Sequence, residues 1–289
     1  MLSTEVVVAG GGVAGLLIAT GLGSNHEVIL LERRCDLPRN KYWLTDAESV
    51  RAVPGLESCV AHWCDALDFV AYDGLRATIR GRYALWDTDR LIDHLERSAV
   101  QQGVQLRKGF RLYSLKHEHD GITLRANSES IHARLLIDCM GVGSPIAVAK
   151  GIVNISGYYL LLGRQVSLSQ PCSAVALNNV MLGHRPSYFE LFPSSAYRAH
   201  ASVILPSRSH RPGRSLSADF NFIVQRSHYS RFIDNTDAKG RPYSGIVPVG
   251  RLRTPALDRV VFFGEAGQTN PAASATGLTR MLRSRASVL

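Results

Sequence analysis

Residues 5–35, EVVVAGGGVAGLLIATGLGSNHEVILLERRC, decide the fold of this 289-residue chain. The β-branched run Val6–Ala9 predicts a short buried strand, and the apolar stretch Val13–Gly21 predicts a helix. Glu27–Leu31 predicts a second buried strand, which ends at Glu32. Strand, glycine turn, helix, strand and acid therefore follow one another in the order of a dinucleotide-binding βαβ unit.

The turn between the first strand and the helix reads GGGVAG at residues 10–15 and satisfies G-x-G-x-x-G. In such a unit Gly10 permits the tight turn, Gly12 lets the backbone approach a pyrophosphate, and Gly15 lets the helix pack closely on the strand. Free N–H groups at the helix N-terminus favour the phosphates. Glu32 lies seventeen residues after Gly15, near the offset at which an acid accepts hydrogen bonds from ribose hydroxyls. An acid at this position disfavours NADP and leaves FAD or NAD as the ligand of the unit.

Composition and charge exclude several classes of protein. Hydrophobic residues make up 45 % of the chain and charged residues 20 %, which excludes a wholly disordered chain or a fibre. The net charge is +9, but the basic residues are scattered, so no nucleic-acid-binding arm is expected. The five cysteines form no disulfide framework and no signal peptide is recognisable, so we expect a reducing, cytoplasmic location.

Further strands and helices follow the first unit. Residues 89–106 predict a helix that Gln102-Gly103 closes, with a short strand after it. Three strand-like pieces occupy residues 110–137, and Asp120-Gly121 is a hairpin signal between the first two. The last piece runs into Asp138, which places an acid at the carboxyl end of a buried strand, where open α/β sheets bind ligands.

Three segments together resemble the FAD-binding domain of the p-hydroxybenzoate hydroxylase superfamily. They are the glycine motif with Glu32, the helix that carries Arg90, and the D-x-x-G-x-x-S-P stretch that begins at Asp138. The superfamily includes aromatic monooxygenases, flavin-dependent halogenases, geranylgeranyl reductases and lycopene cyclases. The resemblance continues in RVVFFGEAGQTNPAASATG, residues 259–277. The Asn-Pro and Ala-Thr-Gly parts of that stretch are similar to the reductase and lycopene cyclase branch.

The resemblance implies an α/β protein, with a Rossmann-like FAD-binding domain of the GR2 type and an antiparallel β-sheet substrate domain. The expected FAD-binding domain is discontinuous and comprises residues 1–48, 76–150 and 250–289. The expected substrate domain comprises residues 49–75 and 151–249. Residues 46–75 are predicted as a helical and loop excursion. Strand-like runs between residues 151 and 250, with a helix over Leu216–Ser227, predict the sheet that forms the floor of the substrate pocket in the family.

The same resemblance implies a set of cofactor contacts. In the family, the acid after the strand at residues 259–264 contacts the FAD ribityl chain; Glu265 stands there, where aspartate is usual. We expect that strand to lie beside the strand at residues 6–9. Thr276 and Gly277 open the next helix beside the flavin. No metal site is predicted. The predicted cofactor-binding residues are Gly10, Gly12, Val13, Ala14, Gly15, Glu32, Arg33, Arg90, Asp138, Gly141, Gly264, Glu265, Thr276 and Gly277.

The catalytic residues stay unassigned at this point. The sequence contains no G-x-S-x-G elbow, no H-E-x-x-H and no paired C-x-x-C. Glu190, in Tyr188-Phe189-Glu190, is an acid among aromatic residues and is either a pocket acid or an outward strand residue. The segment Lys41-Tyr42-Trp43 falls in a loop that runs towards the flavin in the resembled fold, where Arg39 or Lys41 is a candidate contact.

The resemblance implies an FAD-dependent oxidoreductase of secondary metabolism, a monooxygenase or a reductase that acts on an apolar, aromatic or isoprenoid small molecule. NAD(P)H is the expected transient reductant. Three alternatives stay open: a lycopene-cyclase-like flavoprotein without net redox, a non-catalytic protein that kept the fold, and an NAD-binding dehydrogenase, which Asp138 and the Gly264 segment together disfavour. Loose contact with anionic lipid is a further expectation. Family members usually continue beyond the point where this sequence stops, so two explanations stay open: a compact variant, whose missing layer a partner subunit supplies in a homodimer, and a truncated product.

Overall fold

The computed structural model describes residues 2–36, 42–211, 213, 215–226, 231–234, 242–267 and 277–289. Its strands are β1 Leu2–Ala9, β2 Val28–Glu32, β3 Leu44–Asp46, β4 Val60–Val70, β5 Arg76–Trp86, β6 Gln105–Lys108, β7 Leu112–His117, β8 Ile122–Ala126, β9 Glu129–Asp138, β10 Val153–Leu168, β11 Ala174–Leu182, β12 Arg185–Ser195, β13 Arg198–Ser207, β14 Ile233–Asp234, β15 Tyr243–Leu252, β16 Ala256–Leu257 and β17 Val260–Phe262. Its helices are α1 Val13–Gly23, α2 Ala47–Arg51, α3 Thr88–Gln101, α4 Pro145–Ala149, α5 Leu216–Arg226 and α6 Gly277–Ser284.

An eight-stranded sheet contains the predicted dinucleotide-binding unit. Its central order is β16-β17-β9-β1-β2-β6, and β8 and β7 extend from β9. The neighbours β1, β2 and β9 are parallel. Val7 and Val8 in β1 are completely buried, and Leu16 and Leu17 of α1 cover one face of the sheet. Parallel strands buried on both faces are continuously apolar, which is why this unit could be recognised from the sequence.

The C-terminal strand returns to this sheet, as predicted, but at a different place. The sequence analysis placed residues 259–264 beside the strand at residues 6–9. That neighbour was wrong, because β17 pairs with β9 through Val260–Leu136 and Phe262–Asp138, and β9 lies between β17 and β1. Both β1 and β9 contain an apolar run in their second half, so local composition could not distinguish the two possible neighbours.

A nine-stranded sheet forms the second layer of the molecule. Its order is β14-β10-β13-β12-β11-β4-β5-β3, and β15 also pairs with β10. The strands are antiparallel except for the parallel pair β4 and β11. This confirms the antiparallel sheet predicted for residues 151–250. Helix α5 confirms the helix predicted over residues 216–227.

In the segment from α2 to β5 the structure differs from two predictions. Residues 46–75, predicted as helix and loop, contain the 11-residue strand β4. Residues 76–86, which were assigned to the FAD-binding domain, form β5, which pairs with β4 in the second sheet. Residues 76–82 are all exposed, so β5 lacks the alternation between buried and exposed positions that identifies a strand from sequence.

The two faces of the second sheet are covered differently. Phe189, Ala201 and Val203 are fully buried on the face against which Phe220 of α5 packs. Successive side chains of a strand point to opposite faces, so the residues that alternate with these belong to the other face. Glu190 is one of them, and it is only partly buried. The α5 face therefore forms core, while the other face carries polar side chains, of which Ser202 and His200 are buried and Glu190 is partly buried. We call this second face the open face, because α5 does not cover it.

Candidate cofactor and substrate site

The glycine turn lies at the carboxyl end of β1. Gly10 has a φ of +104°, which favours glycine, and a Cβ on Gly10 would overlap the carbonyl group of Cys139. A Cβ on Gly15 would overlap the carbonyl oxygen of Gly10. Gly12 is different, because a Cβ there would meet nothing within 4 Å. The backbone of Gly12 thus borders open space, as a phosphate-binding turn requires.

Helix α1 begins directly at this open space. Gly12 is its N-cap and supplies no side chain to cap the first turn. The N–H groups of Val13 and Ala14 therefore lie at an uncapped N-terminus, where the partial positive charge of the helix favours an anion. The turn and the helix together have the form that a pyrophosphate group needs.

Glu32 lies against the glycine turn. One carboxylate oxygen accepts a hydrogen bond from the Gly11 N–H at 2.7 Å, and the other accepts one from the Arg34 N–H at 2.8 Å. The residue is 8 % exposed. Each carboxylate oxygen retains a second lone pair, so Glu32 can also accept hydrogen bonds from the hydroxyls of a ribose. Arg33, the next residue, is exposed.

Asp138 lies beneath the site, although the sequence placed it among the cofactor contacts. Its side chain is fully buried at the end of β9. One oxygen accepts a hydrogen bond from the Met140 N–H at 2.9 Å, and the other accepts one from the Ser144 hydroxyl. Ser144 in turn caps α4 by accepting from the Ala147 N–H. Asp138 therefore fixes the loop that carries Gly141, and does not itself face a ligand.

Burial gives Asp138 a measurable effect on stability. Desolvation raises its pKa to about 6, against the hydrogen bonds from Ser144 and Met140, which lower it. The folded state thus binds this proton more tightly than the unfolded state between about pH 4 and pH 6. The contribution of Asp138 to the free energy of unfolding is greatest below this range and declines as the pH rises through it.

We expect Asp138→Asn to remove this pH dependence. The asparagine oxygen can still accept from the Met140 N–H, and its amide can donate to Ser144. Between pH 4 and pH 7.5, the free energy of unfolding of the wild type should fall by about 2–3 kcal/mol relative to that of the variant. Urea unfolding of both proteins across this range measures the difference. A difference between the two proteins that does not change with pH would contradict the assignment.

The turn after β17 closes the site from the C-terminal side. Gly264 has a φ of +67°, and a Cβ on it would lie against the Cβ of Ala14, so the turn packs directly on the first turn of α1. Glu265 follows, and its Oε2 is 3.7 Å from the position that a Cβ on Gly141 would take. The structure thereby brings Gly264, Glu265 and Gly141 to the edge that carries the glycine turn.

Three other predicted contacts have different outcomes. Gly277 is buried at the start of α6. Arg90 is exposed near the N-terminus of α3, and its Nε pairs with Asp87 at 3.2 Å. Thr276 lies outside the described residues, as do Arg39 and Lys41.

A second group of side chains lies on the open face of the second sheet, and we call it the aromatic cluster: Tyr42, His200 and Tyr243. Tyr42 stacks on His200 with ring centroids 3.5 Å apart, and its centroid is 4.7 Å from that of Tyr243. Gly163 leaves room for Tyr243, because a Cβ there would overlap its ring. Burial, together with the Asp89 carboxylate, raises the pKa of Tyr42. Asp89 lies in the first turn of α3.

Glu190 lies next to this cluster. Its Oε2 accepts a hydrogen bond from the Ser202 hydroxyl at 3.3 Å, and Ser202 is also hydrogen-bonded to Tyr243. Burial raises the pKa of Glu190 to about 7, although the Ser202 bond lowers it. Burial also lowers the pKa of His200 to about 4, so that imidazole is neutral near pH 7. Glu190 is thus partly buried beside the cluster and is not a fully exposed strand residue.

The sequence analysis identified part of this group and missed the rest. Glu190 was a candidate as an acid among aromatic residues, and Tyr42 lies in the segment Lys41-Tyr42-Trp43, in which Arg39 or Lys41 was the candidate contact. His200, Ser202 and Tyr243 were missed. The alternation of Ala199, His200, Ala201, Ser202 and Val203 could have shown that one face of β13 is polar, although not what faces it.

The described residues contain no membrane-spanning helix and no metal-binding group of side chains. Among them, no helix combines the length and apolar character that crossing a bilayer requires. Within the same residues, no three side chains of His, Cys, Asp or Glu are grouped so that they could hold a metal ion.

Comparison with solved structures shows the fold to be that of flavoprotein oxidoreductases. A geranylgeranyl bacteriochlorophyll reductase-like protein from Thermoplasma acidophilum matches with a TM-score of 0.80 at 15 % identity, over 99 % of this chain and 76 % of that one. PqsL, a probable FAD-dependent monooxygenase from Pseudomonas aeruginosa, matches with a TM-score of 0.76 at 17 % identity, over 99 % of this chain and 85 % of that one. The anhydrotetracycline hydroxylase OxyS from Streptomyces rimosus matches with a TM-score of 0.70 at 18 % identity, over 98 % of this chain and 60 % of that one.

The chain belongs to the lycopene cyclase protein family, whose family model matches residues 5–181. This membership and the structural neighbours confirm the resemblance to the FAD-dependent hydroxylase superfamily. No curated protein matches the chain.

Proposed function

We propose that this protein is an FAD-dependent oxidoreductase of secondary metabolism, a monooxygenase or reductase that acts on an apolar, aromatic or isoprenoid small molecule. The observation that carries the proposal is the open space at Gly12, which is bordered by the uncapped N-terminus of α1. Glu32 and Glu265 add carboxylates at the same edge of the sheet. Pyrophosphate, ribose and ribityl groups find complementary partners in these three features.

FAD, when bound, would supply hydride or oxygen chemistry, and the protein supplies binding and orientation. Gly12 and the first turn of α1 hold the phosphates. Glu32 accepts hydrogen bonds from the ribose, and Glu265 accepts them from the ribityl chain. NAD(P)H is the proposed reductant, and it binds transiently because the sequence has only one glycine fingerprint of this kind.

Purification of the protein and measurement of its absorption spectrum test the cofactor. We expect flavin bands at a stoichiometry near one FAD per chain, or saturable binding when FAD is added to the apo-protein. Anaerobic addition of NADH or NADPH should then bleach those bands. A folded protein that neither retains nor binds FAD would overturn the proposal.

A second candidate is a lycopene-cyclase-like activity without net redox, which the family membership favours. Product mass separates the two candidates. A monooxygenase adds an oxygen atom and a reductase adds two hydrogen atoms, whereas a cyclase returns an isomer of unchanged mass. Product formation from a candidate isoprenoid, analysed by mass spectrometry, therefore distinguishes them.

We propose a cytoplasmic location with peripheral contact to anionic membranes. All five cysteines are free thiols, which supports a reducing compartment. The hairpin of β4 and β5 exposes Arg76, Arg80 and Arg82 beside Leu75 and Ile79, which are 70 % and 51 % exposed. Basic and apolar side chains on one exposed hairpin are complementary to a negatively charged lipid surface.

The double variant Arg76→Glu and Arg80→Glu tests this contact. We expect the wild type to float with phosphatidylserine vesicles at low ionic strength and to be released by salt, because screening weakens the attraction. The variant should stay unbound. The variant Arg111→Glu with Arg125→Glu makes the same change in net charge just before β7 and in β8, and it should float like the wild type. Equal flotation of both double variants would assign any binding to overall charge alone.

A further inference from the structure

One row of side chains crosses four strands of the second sheet on its open face. Tyr243 in β15 is paired with Gly163 in β10, Gly163 with Ser202 in β13, and Ser202 with Glu190 in β12. Directly paired residues point to the same face. The row therefore places a phenol, a hydroxyl and a carboxyl group side by side, and Gly163 provides the room for the phenol ring.

The hydrogen bonds within this row leave one polar atom unused. Tyr243 and Ser202 are hydrogen-bonded, and the Ser202 hydroxyl donates to Oε2 of Glu190. Oε1 of Glu190 has no partner among the residues that the structure describes. Since the Ser202 proton is already directed at Oε2, Oε1 is the atom through which Glu190 can meet a ligand.

His200 provides a second, independent sign of a polar ligand. Its side chain is 8 % exposed, and its Nδ1 is buried without a hydrogen-bond partner in the described part of the chain. A buried polar atom without a partner typically costs about 1–3 kcal/mol. A hydrocarbon ligand would not hydrogen-bond to Nδ1, so the energetic cost would remain. A ligand with an oxygen atom, or a water molecule held beside such a ligand, would remove that cost by forming the missing hydrogen bond.

We propose that Glu190, held by Ser202, donates a hydrogen bond to a carbonyl oxygen of the substrate, so that the protein selects an oxygen-bearing aromatic or conjugated molecule over a bare hydrocarbon. This inference rests on the proposed function, because it places the apolar substrate on the open face of the second sheet. Glu190 is a binding residue in this scheme. A site built around a hydrogen bond discriminates strongly against an analogue that lacks the bonding group.

The charges around Glu190 support its role as a donor. Burial raises the pKa of Glu190 to about 7, so its carboxyl group retains a proton in the lower part of the physiological range. Burial raises the pKa of Tyr243 and of Tyr159 and lowers that of His200 to about 4, so all three are neutral there. Burial, together with the Asp89 carboxylate, raises the pKa of Tyr42, so that phenol is neutral there as well. Tyr188 lies on the same strand as Glu190. The protonated carboxyl group of Glu190 is thus available as a hydrogen-bond donor below pH 7, and it loses its proton as the pH rises through about 7.

Two probes of matched shape test the proposal. In 2-acetylnaphthalene a C=O group can accept a hydrogen bond, and in 2-isopropenylnaphthalene a C=CH₂ group of similar size cannot. Their affinities for the full chain, as purified, are measured by calorimetry between pH 6 and pH 8.5. We expect the ketone to bind about tenfold more tightly at pH 6, as one hydrogen bond of about 1.4 kcal/mol implies, and the preference to disappear by pH 8.5.

Variants of Glu190 assign the preference to this side chain. Glu190→Gln should keep the preference for the ketone and make it independent of pH, because an amide donates at every pH. Glu190→Leu should abolish the preference, and the exposed control Glu57→Leu should behave as the wild type. If Glu190→Leu does not fold, the pH profile of Glu190→Gln still decides.

Three outcomes would overturn the inference: equal affinities for the two probes at pH 6, no detectable binding of the ketone, or an unchanged pH profile in Glu190→Gln. The absorption spectrum of the same samples reports FAD separately. A preference for the ketone in a protein that binds no FAD would leave this inference standing and overturn the proposed function. Bound FAD without a preference would do the reverse.

Discussion

Gly12→Val is expected to give a folded protein that has lost its FAD. A Cβ on Gly12 meets nothing within 4 Å, so the added side chain does not collide with the protein and the fold can persist. The same side chain fills the space at the N-terminus of α1 where the pyrophosphate would lie. Titration of the apo-protein with FAD, followed by flavin fluorescence, should show a loss of at least about two decades in affinity, which corresponds to roughly 2.8 kcal/mol.

Gly213→Val is the matched control for this variant. A Cβ on Gly213 also meets nothing within 4 Å, and the residue lies between β13 and α5, away from the glycine turn. We expect it to bind FAD like the wild type. Circular dichroism of both variants reports whether the fold is kept. Stoichiometric FAD in Gly12→Val would show that the glycine motif has a structural role only.

Glu265→Ala is expected to weaken FAD binding by about one to two decades. The carboxylate lies just after β17, with one oxygen close to Gly141 and next to the glycine turn. A charged acceptor contributes roughly 1.5–3 kcal/mol for a hydrogen bond to a ribityl hydroxyl. Since 1.4 kcal/mol corresponds to a tenfold change, the loss of this acceptor should be readily visible in a titration with FAD.

Glu265→Asp distinguishes a cofactor contact from a structural role. Aspartate keeps the charge and is the residue that the resembled superfamily usually has, so this variant should retain or improve FAD binding. Glu57→Ala removes an exposed carboxylate elsewhere and should change nothing. Equal FAD affinities of the wild type and Glu265→Ala would remove the C-terminal half of the proposed site and leave only the N-terminal glycine motif.

The first βαβ unit could be predicted almost completely from the sequence. Its strands, helix, glycine turn and acid lie within residues 5–35, and the structure places the second strand only one residue from the prediction. The reason is physical: the interactions that define the unit join residues close together in the chain. Gly10 and Gly15 are required by backbone contacts, and Glu32 accepts from the neighbouring turn.

Long-range pairing was the part that the sequence did not determine. The neighbour of β17 is β9 because hydrogen-bond register joins residues more than a hundred positions apart, which no local pattern encodes. Strand β5 was missed because residues 76–82 are exposed on both faces and carry no alternation. Asp138 could be recognised as an acid at a strand end. Only its burial and its bonds to Met140 and Ser144 showed that it supports the loop below the site.

On the open face of the second sheet, too, part of the arrangement follows from local sequence and part from long-range contacts. The alternating pattern of β12 and β13 is enough to place Glu190 and Ser202 on the face opposite Phe189, Ala201 and Val203, although Ser202 was not recognised from the sequence. Only the tertiary structure brought Tyr42, which follows the first βαβ unit, onto His200, and Tyr243 beside both. The sequence by itself thus determined a nucleotide-binding unit of the flavoprotein type, because that unit is local. Tertiary structure decided which polar groups lie together on that face, because β12, β13 and β15 are distant in the chain and Tyr42 comes from the segment after β2.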